Sequence, residues 1–391
     1  MKQITLLIIA WAFALTNCDA QTNPFVKSVN DFSFTLFRQL RNDSNIVLSP
    51  LSVELGLLAA SAGADGDTRK EFENAFQYKI DSTGLNNIST YLSRINQSTD
   101  SNNIISIANS LWINSHFHVK ESYTTDIKKY FNADVSGIDV SKPQMASDQI
   151  NHWVNTQTKG LIPEMTSPAE IDTSTELFIL NTIYLKKEWA YPFYKEYTNK
   201  HIFYTAQNKK SNQDFMQMTR YCDYVQFKKF KTVFLPYKGN HTSMVIILPN
   251  RKKELKRIES QLSSQLIDDL YKMKQSEDVR LSIPKFSSHN TCKLIPSMQK
   301  IGIKSAFTQN ANFKKIADSR FYINIIKHTV VFEIDEKGTK AAAVTKIGVL
   351  VGSIFHKLPK PIEFNANHPF VYMVIDNDTQ CILFIGEYNG N

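Results

Sequence analysis

The sequence predicts an α+β protein with large, mostly antiparallel sheets. Three observations carry that reading. Ile104 to Ile113, Leu177 to Leu185, Met244 to Leu248 and Val279 to Ile283 are runs of β-branched, aromatic and other apolar residues, the composition of strands. Helix-spaced apolar faces lie among them without a regular βαβ alternation. Near the C-terminus, Phe370 to Ile375 and Cys381 to Ile385 flank the polar loop Asp376 to Gln380, the pattern of a hairpin.

The elements follow in chain order. Lys2 precedes an apolar run from Ile4 to Leu15, and the small residues Cys18 and Ala20 stand where a signal peptidase reads them. Residues 1–20 are therefore expected to be a secretory signal peptide. About twelve apolar residues cannot span a bilayer that needs about twenty. No later stretch is long enough to span, so a soluble mature chain beginning near Gln21 is expected. Phe25, Val29, Phe32, Phe34, Leu36, Phe37 and Leu40 form a helix-spaced face that closes near Asn42. Ser49-Pro50 opens a second helix, with Ser49 as N-cap and Pro50 in the first turn, ending near Gly63. Asp148 to Thr158 reads as a third, with Ile150, Trp153 and Val154 on one face. Phe321 to Asp335 is a long β-rich stretch.

Composition narrows the function. Of 391 residues, 42% are hydrophobic and 21% charged, an ordinary globular balance. The net charge of +8 is mild for this length and does not indicate a nucleic-acid binder. The basic residues do gather, at Arg251, Lys252, Lys253, Lys256 and Arg257 and at Lys228, Lys229 and Lys231, which leaves polyanion binding open. Four cysteines are too few for a disulfide scaffold, and no CxxC or Cys/His cluster suggests a metal. Cys222, Cys292 and Cys381 read as isolated buried thiols. GxSxG, HExxH, GxxxxGK[ST] and GxGxxG are all absent. The one SxxK, Ser297 to Lys300, is a pattern that arises by chance. The chain is thus not expected to be an enzyme or to need a cofactor. In a secreted chain the sequons at Asn42, Asn87, Asn96, Asn240 and Asn377 become candidate glycan sites and hence expected surface positions.

The segment Glu336 to Lys357, EKGTKAAAVTKIGVLVGSIFHK, is unusual. It follows a strand pattern directly, yet begins with glycine and small residues. Taken at the strand period, one face carries Thr339, Ala341, Ala343, Thr345, Ile347 and Val349. The other carries Lys340, Ala342, Val344, Lys346, Gly348 and Leu350. Both lysines share a face, and the opposite face is uncharged and free of proline. Such a segment suits burial in a crowded sheet.

EKGTKAAA resembles the hinge of the reactive-centre loop of inhibitory serpins. The resemblance extends over the mature chain: NIVLSPLSVELGLLAASAGADGDTRKEF, QINHWVNTQTKGLIPEM, LFILNTIYLKKEWAYPF and FNANHPFVYMVIDNDTQCILFIGEY each resemble a serpin segment, in the family's order. It implies one serpin domain over residues 21–391, with three mostly antiparallel sheets, about nine helices and an exposed loop near residues 336–360.

It also implies roles. Ser49, Ser52, Asn181 and His328 match a buried cluster that governs opening of the main sheet. Lys285 and Trp189 match residues at the top of that sheet, where Glu336 begins the loop. Glu336, Gly338, Thr339, Ala341, Ala342 and Ala343 match the hinge; Lys340 departs from the acidic residue common there, on the outward parity. The implied function is suicide inhibition of an extracellular serine protease by a secreted monomer, the cut loop inserting into the main sheet. The alternative is a non-inhibitory carrier, binding or storage serpin. The family's count from Glu336 puts the bait bond at Gly352-Ser353. Val351 would suit an elastase-like pocket, Phe355 a chymotrypsin-like one and Lys357 a trypsin-like one, favoured in that order.

Overall fold

A computed structural model describes residues 23–97, 104–339 and 360–390. The expected signal peptide, Lys340 to Ala343 and all the candidate bait residues lie outside the described residues.

Asn23 caps the first helix, α1 (Pro24–Leu40): its side chain accepts the Phe25 N–H at 3.0 Å, and Pro24 stands where no intrahelical N–H is needed. After β1 (Ile46–Leu48), α2 (Pro50–Ala62) is capped by Ser49, as the sequence predicts. Every residue from Pro50 to Ser61 is buried, because this helix is apolar or small all round except at Glu54, whose carboxylate accepts the Ser28 hydroxyl, and runs through the core. There follow α3 (Gly66–Phe76), α4 (Ser82–Gln97), β2 (Ile104–Asn114), α5 (Glu121–Phe131), β3 (Asp134–Ile138) and α6 (Pro143–Gln157). The last starts five residues before the expected Asp148, at a proline suited to a first turn. The middle of the chain is mainly strand: β4 (Leu177–Glu188), β5 (Asn199–Tyr204), β6 (Lys210–Gln226), β7 (Phe230–Pro236) and β8 (Thr242–Pro249). Next come α7 (Leu255–Gln261), α8 (Ser264–Met273), β9 (Gln275–Pro284), β10 (Phe286–Lys293), α9 (Ile295–Lys300) and β11 (Ile323–Ile334). The two-residue β12 (Gly338–Thr339), β13 (Ile362–Asn365), β14 (Phe370–Asp376) and β15 (Cys381–Tyr388) complete the order. Asp376, expected in the hairpin loop, instead pairs with Cys381 and ends β14.

Among the described residues hydrogen bonding joins the strands into two sheets, not three. One has the order β10-β11-β12-β4-β2-β3. The other runs β1-β15-β14-β8-β7-β6-β9-β13, with β5 also on β6. The physical reason is the seventeen-residue β6. Its residues 210–215 pair with β5, 215–224 with β9 and 224–226 with β7, so one continuous strand unites two groups. Only β2–β3, β4–β11 and β9–β13 pair in parallel among the described strands.

The six-stranded sheet divides the core. Leu177, Ile179, Ile183 and Leu185 of β4 face the large core around α2. Phe178 and Leu180, of opposite parity, join Trp112, Ile150 and Val154 beneath α6. No helix among the described residues is long and apolar enough to cross a membrane. Cys222 and Cys381 are buried free thiols as expected, whereas Cys292 is only half-buried, at an exposed edge of β10.

Candidate functional site

The centre of the six-stranded sheet is a seam between two strands of the same direction. β4 and β11 pair from Leu177 with Ile323 up to Ile183 with Val330. Beyond that they part, and β12 lies between them. Thr339 pairs with Ile334 on one side and Lys187 on the other, and Gly338 pairs with Glu188. The first residues of the hinge motif thus already sit in the sheet as a short antiparallel strand.

Local chemistry explains the turn that puts them there. The Asp335 carboxylate accepts the N–H groups of Lys337 (2.8 Å) and Gly338 (3.2 Å), an Asx turn. Gly338 has φ of 151°, and a Cβ on it would lie 2.1 Å from the Lys187 carbonyl oxygen. Only glycine fits. Between the two, Glu336 turns sideways and is buried. Its carboxylate receives Lys285 Nζ (3.0 and 3.1 Å) and the Thr198 hydroxyl (2.9 Å). Burial pushes this carboxyl up, but its own backbone N–H, Lys285 and Thr198 outweigh that and hold it below the usual carboxylate range.

Trp189 closes the turn from below. Its backbone N–H donates to the Lys337 carbonyl (2.8 Å) and its indole N–H to that of Asp335 (2.9 Å). The indole stacks on the Tyr237 ring at 4.5 Å and 10°. The Phe193 N–H donates to the Glu336 carbonyl at 2.7 Å.

Lower on the seam, the predicted cluster is brought together behind the sheet. Ser49, Ser52, Asn181 and His328 are all buried. His328 Nε2 accepts the Ser49 backbone N–H at 3.0 Å, which puts the ring proton on Nδ1. Burial pushes this imidazole down to about 3, with the Asn181 backbone pulling partly back. The Asn181 amide donates to the Ser52 carbonyl (3.2 Å) and to Asn109 Oδ1 (2.8 Å). The Ser52 hydroxyl also lies 3.3 Å from Asn109 Oδ1. Because β4 and β11 pair at Asn181 and His328, the cluster touches both sides of the seam.

Sequence reasoning missed several residues here. Asn109 is a polar residue inside an apolar strand, and Gly56 is the reason Asn181 fits: a Cβ on it would lie 2.1 Å from Asn181 Nδ2. Tyr237, Thr198 and Phe193 carry no local signal. On the opposite face, Lys327 of β11 is buried and donates to the Met165 carbonyl (2.5 Å) and to Glu170 (2.7 Å), which strap the α6–β4 connection across the seam. Burial would raise the Glu170 carboxyl, but Lys327, the Ser167 N–H and Lys293 draw it down to about 2.

Of the sequon asparagines, Asn42 and Asn240 are exposed, Asn87 is half-buried on α4, and Asn96 lies in the last turn of the same helix. Asn377 is half-buried, with its side chain engaged. Its Nδ2 donates to the Asn240 carbonyl (2.6 Å) and the Ser243 hydroxyl (2.9 Å), and its Oδ1 accepts from Tyr271 (2.9 Å). A glycan on Nδ2 would replace one of those two N–H donors.

Comparison with known proteins agrees with this geometry. The family model described as Serpin (serine protease inhibitor) matches residues 27–390. An uncharacterised serpin-like protein of Methanosarcina mazei is 34% identical over 95% of this chain and 88% of its own length. The leukocyte elastase inhibitor of Xenopus tropicalis is 30% identical over 92% of this chain and 97% of its own. The native structure of a thermophilic serpin, tengpin, superposes with a TM-score of 0.85 at 28% identity, covering 94% of each chain. A short antiparallel strand seated between β4 and β11 above a buried polar cluster, on a fold matched over nearly its whole length, identifies the chain as a member of the serpin family.

Proposed function

We propose that this serpin is a secreted suicide inhibitor of extracellular serine proteases, made with residues 1–20 as a signal peptide and acting as a single domain from Gln21 onward. The observation that carries the reading is the position of β12 between β4 and β11. A loop that already pairs antiparallel on both sides, with one residue pair to β11 and two to β4, needs only to continue downward. The parity supports this. Thr339 points into the large core, where its hydroxyl meets Tyr237 at 2.7 Å. Ala341, Ala343, Thr345, Ile347 and Val349 follow on the same parity, while Lys340 and Lys346 fall on the other.

The chemistry belongs to the protease. Its serine attacks the bait carbonyl, the amine of the next residue leaves, and an acyl-enzyme forms. The freed loop then extends β12 and carries the acylated protease with it. β4 and β11 must part, losing their parallel pairs; each regains an antiparallel partner, the slightly stronger arrangement. Hydrolysis of the acyl bond competes, so small residues on the inserting face favour trapping. The bait is read as Gly352-Ser353, with Val351, Phe355 and Lys357 as alternatives. Elastase-like enzymes are placed first and chymotrypsin-like ones second.

The test incubates the mature protein with elastase, chymotrypsin and trypsin separately. A denaturing gel then looks for a band near the summed mass, and mass spectrometry names the first residue of the released fragment. Cleavage with neither such a band nor a gain in thermal stability of the cut form is the outcome for a non-inhibitory carrier.

A further inference from the structure

One edge of the six-stranded sheet is only half covered, and we infer that its open half binds an uncharged, extended peptide segment of a partner protein as an added strand. β2 pairs with β4 from Ile104 to Ile113. On its other side β3 reaches only Ser110 to Asn114, because β3 begins at Asp134, opposite Ser110. Among the described residues, 104–109 therefore have a strand partner on one side alone. At the rise of a strand these residues make an open edge of roughly 20 Å. Such an edge presents N–H and C=O groups outward in the plane of the sheet, a template for another strand.

Space for that strand is present. A cleft of about 210 Å³ follows the open edge and is lined by Ile105 to Asn109 in unbroken succession. Side chains of a strand alternate between its faces, so consecutive residues line one cleft only through the edge of the strand. Trp153 and Gln157 of α6 wall it on one side, and Lys128 and Asn132 at the end of α5 on the other. These two helices pack on opposite faces of the sheet, so an added strand is covered on both faces. The walls are fixed. The Asp134 carboxylate accepts Lys128 Nζ and the Trp153 indole N–H, both at 2.9 Å, and the Trp153 ring meets Trp112 edge-on at 6.2 Å. Burial would raise the Asp134 carboxyl, but Lys128 and Trp153 hold it below the usual carboxylate range.

The form of the cleft selects the ligand. It is smaller than the roughly 300 Å³ at which sites for small organic molecules begin, and it is long. Its two charged side chains, Lys128 and Asp134, neutralise each other, and Asn132 and Gln157 are polar and uncharged. The charge complement is a neutral main chain with its own donors and acceptors, not an anion or a cation. Asn109 turns toward Asn181 behind the seam, so Ser106 and Ala108, of the other parity, face α6. Small side chains there leave room for those of an incoming strand. Other edges are already met. On β10, Asn290 accepts the Val47 N–H (2.8 Å) and donates to the Asn45 carbonyl (3.3 Å). On β5, the Tyr204 N–H donates to the Asn367 carbonyl (2.8 Å).

Amide hydrogen exchange of the purified protein tests the site, with and without an excess of a capped hexapeptide of alternating threonine and valine. The peptide should slow exchange within residues 104–109 at least about threefold and leave β10 and β11 unchanged. The same peptide fully N-methylated has no N–H to donate and should give no protection. Q157W fills the cleft from α6 and should abolish the protection, whereas T156W, at the exposed neighbouring position, should keep it. Protection of β11 instead puts the peptide in the seam beside β4 and overturns the proposal. Equal protection of β10 and β5 overturns it by showing that any strand edge attracts the peptide. Absence of protection, or protection that survives N-methylation or Q157W, also overturns it. The N-methylated peptide needs only wild-type protein, so the test stands if Q157W does not fold. No protease is involved, so the result is independent of the inhibitory function.

Discussion

The hydroxyls of Tyr237 and Thr339 meet at 2.7 Å inside the protein, joining a residue beyond β7 to the second residue of β12. Tyr237 is wholly buried, and burial pushes its phenol up while Thr339 pulls it partly back. Its ring is fixed by the stack on Trp189. The seat that Thr339 occupies is therefore built for one small polar side chain.

Replacing Thr339 by arginine places a charge in that seat. A buried unpaired charge costs several kcal/mol, so the hinge should leave the sheet and insertion should fail. The expected result is cleavage by the target protease with the SDS-stable complex lost. Measuring the moles of inhibitor consumed per mole of protease checks it; an unchanged ratio would refute the seat.

Gly338→Ala tests the turn. Its Cβ would meet the Lys187 carbonyl and its φ is unsuited to an L-residue. Strain of this kind costs of order 1–3 kcal/mol. Hydrogen exchange should show β12 losing protection while β4 below Ile183 keeps it. A wild-type exchange pattern would mean that the strand accommodates the methyl group.

Gly56→Ala tests the cluster behind the seam. The added methyl displaces Asn181, whose amide binds both Ser52 and Asn109. Crowding a packed core typically costs 1–3 kcal/mol, about that here. Urea denaturation should show the loss. Asn181→Ala alone leaves the Ser52 carbonyl and Asn109 without that donor, and combining it with Gly56→Ala should recover part of the packing penalty.

A pH dependence follows from two buried groups of opposite effect. Glu387 of β15 touches Glu259 of α7, and the pair shares the guanidinium of Arg41, with Asn389 Nδ2 on Glu387 at 2.8 Å. Burial, then the neighbouring Glu259 charge, raises the Glu387 carboxyl to about 8. The native state then binds more protons than the unfolded state between pH 4.5 and 8, so stability falls as pH rises through that window and levels off above it. His328, lowered to about 3, acts below 6.5: there the unfolded state binds more protons, so stability falls as pH drops. Glu387→Gln should flatten the decline between pH 6.5 and 8 in chemical denaturation and leave the acid limb intact. An unchanged decline would show that another group carries it.

Much of this protein was legible from its sequence because the signals are local. Ser49 and Pro50 start α2 through their own hydrogen-bonding and φ preferences, and the hinge parity rests on the two-residue strand repeat. The family motifs added the positions of Asn181, His328, Trp189 and Lys285. Residues whose role depends on a distant partner were not legible. Asn109 looks like a flaw in an apolar strand until Asn181, seventy-two residues later, lies beside it. Glu170 and Lys327 form a strap only because α6 lies over the sheet.

The sequence by itself determined the element types, the uncharged face of the hinge and the absence of known catalytic motifs, since each depends on neighbouring residues and their periodicity. The tertiary structure alone decided that Gly338 and Thr339 occupy the seam, that one long strand merges two sheets, and that β3 leaves half of the β2 edge open on a cleft. Those outcomes depend on strand register between segments far apart in the chain, which no local pattern specifies.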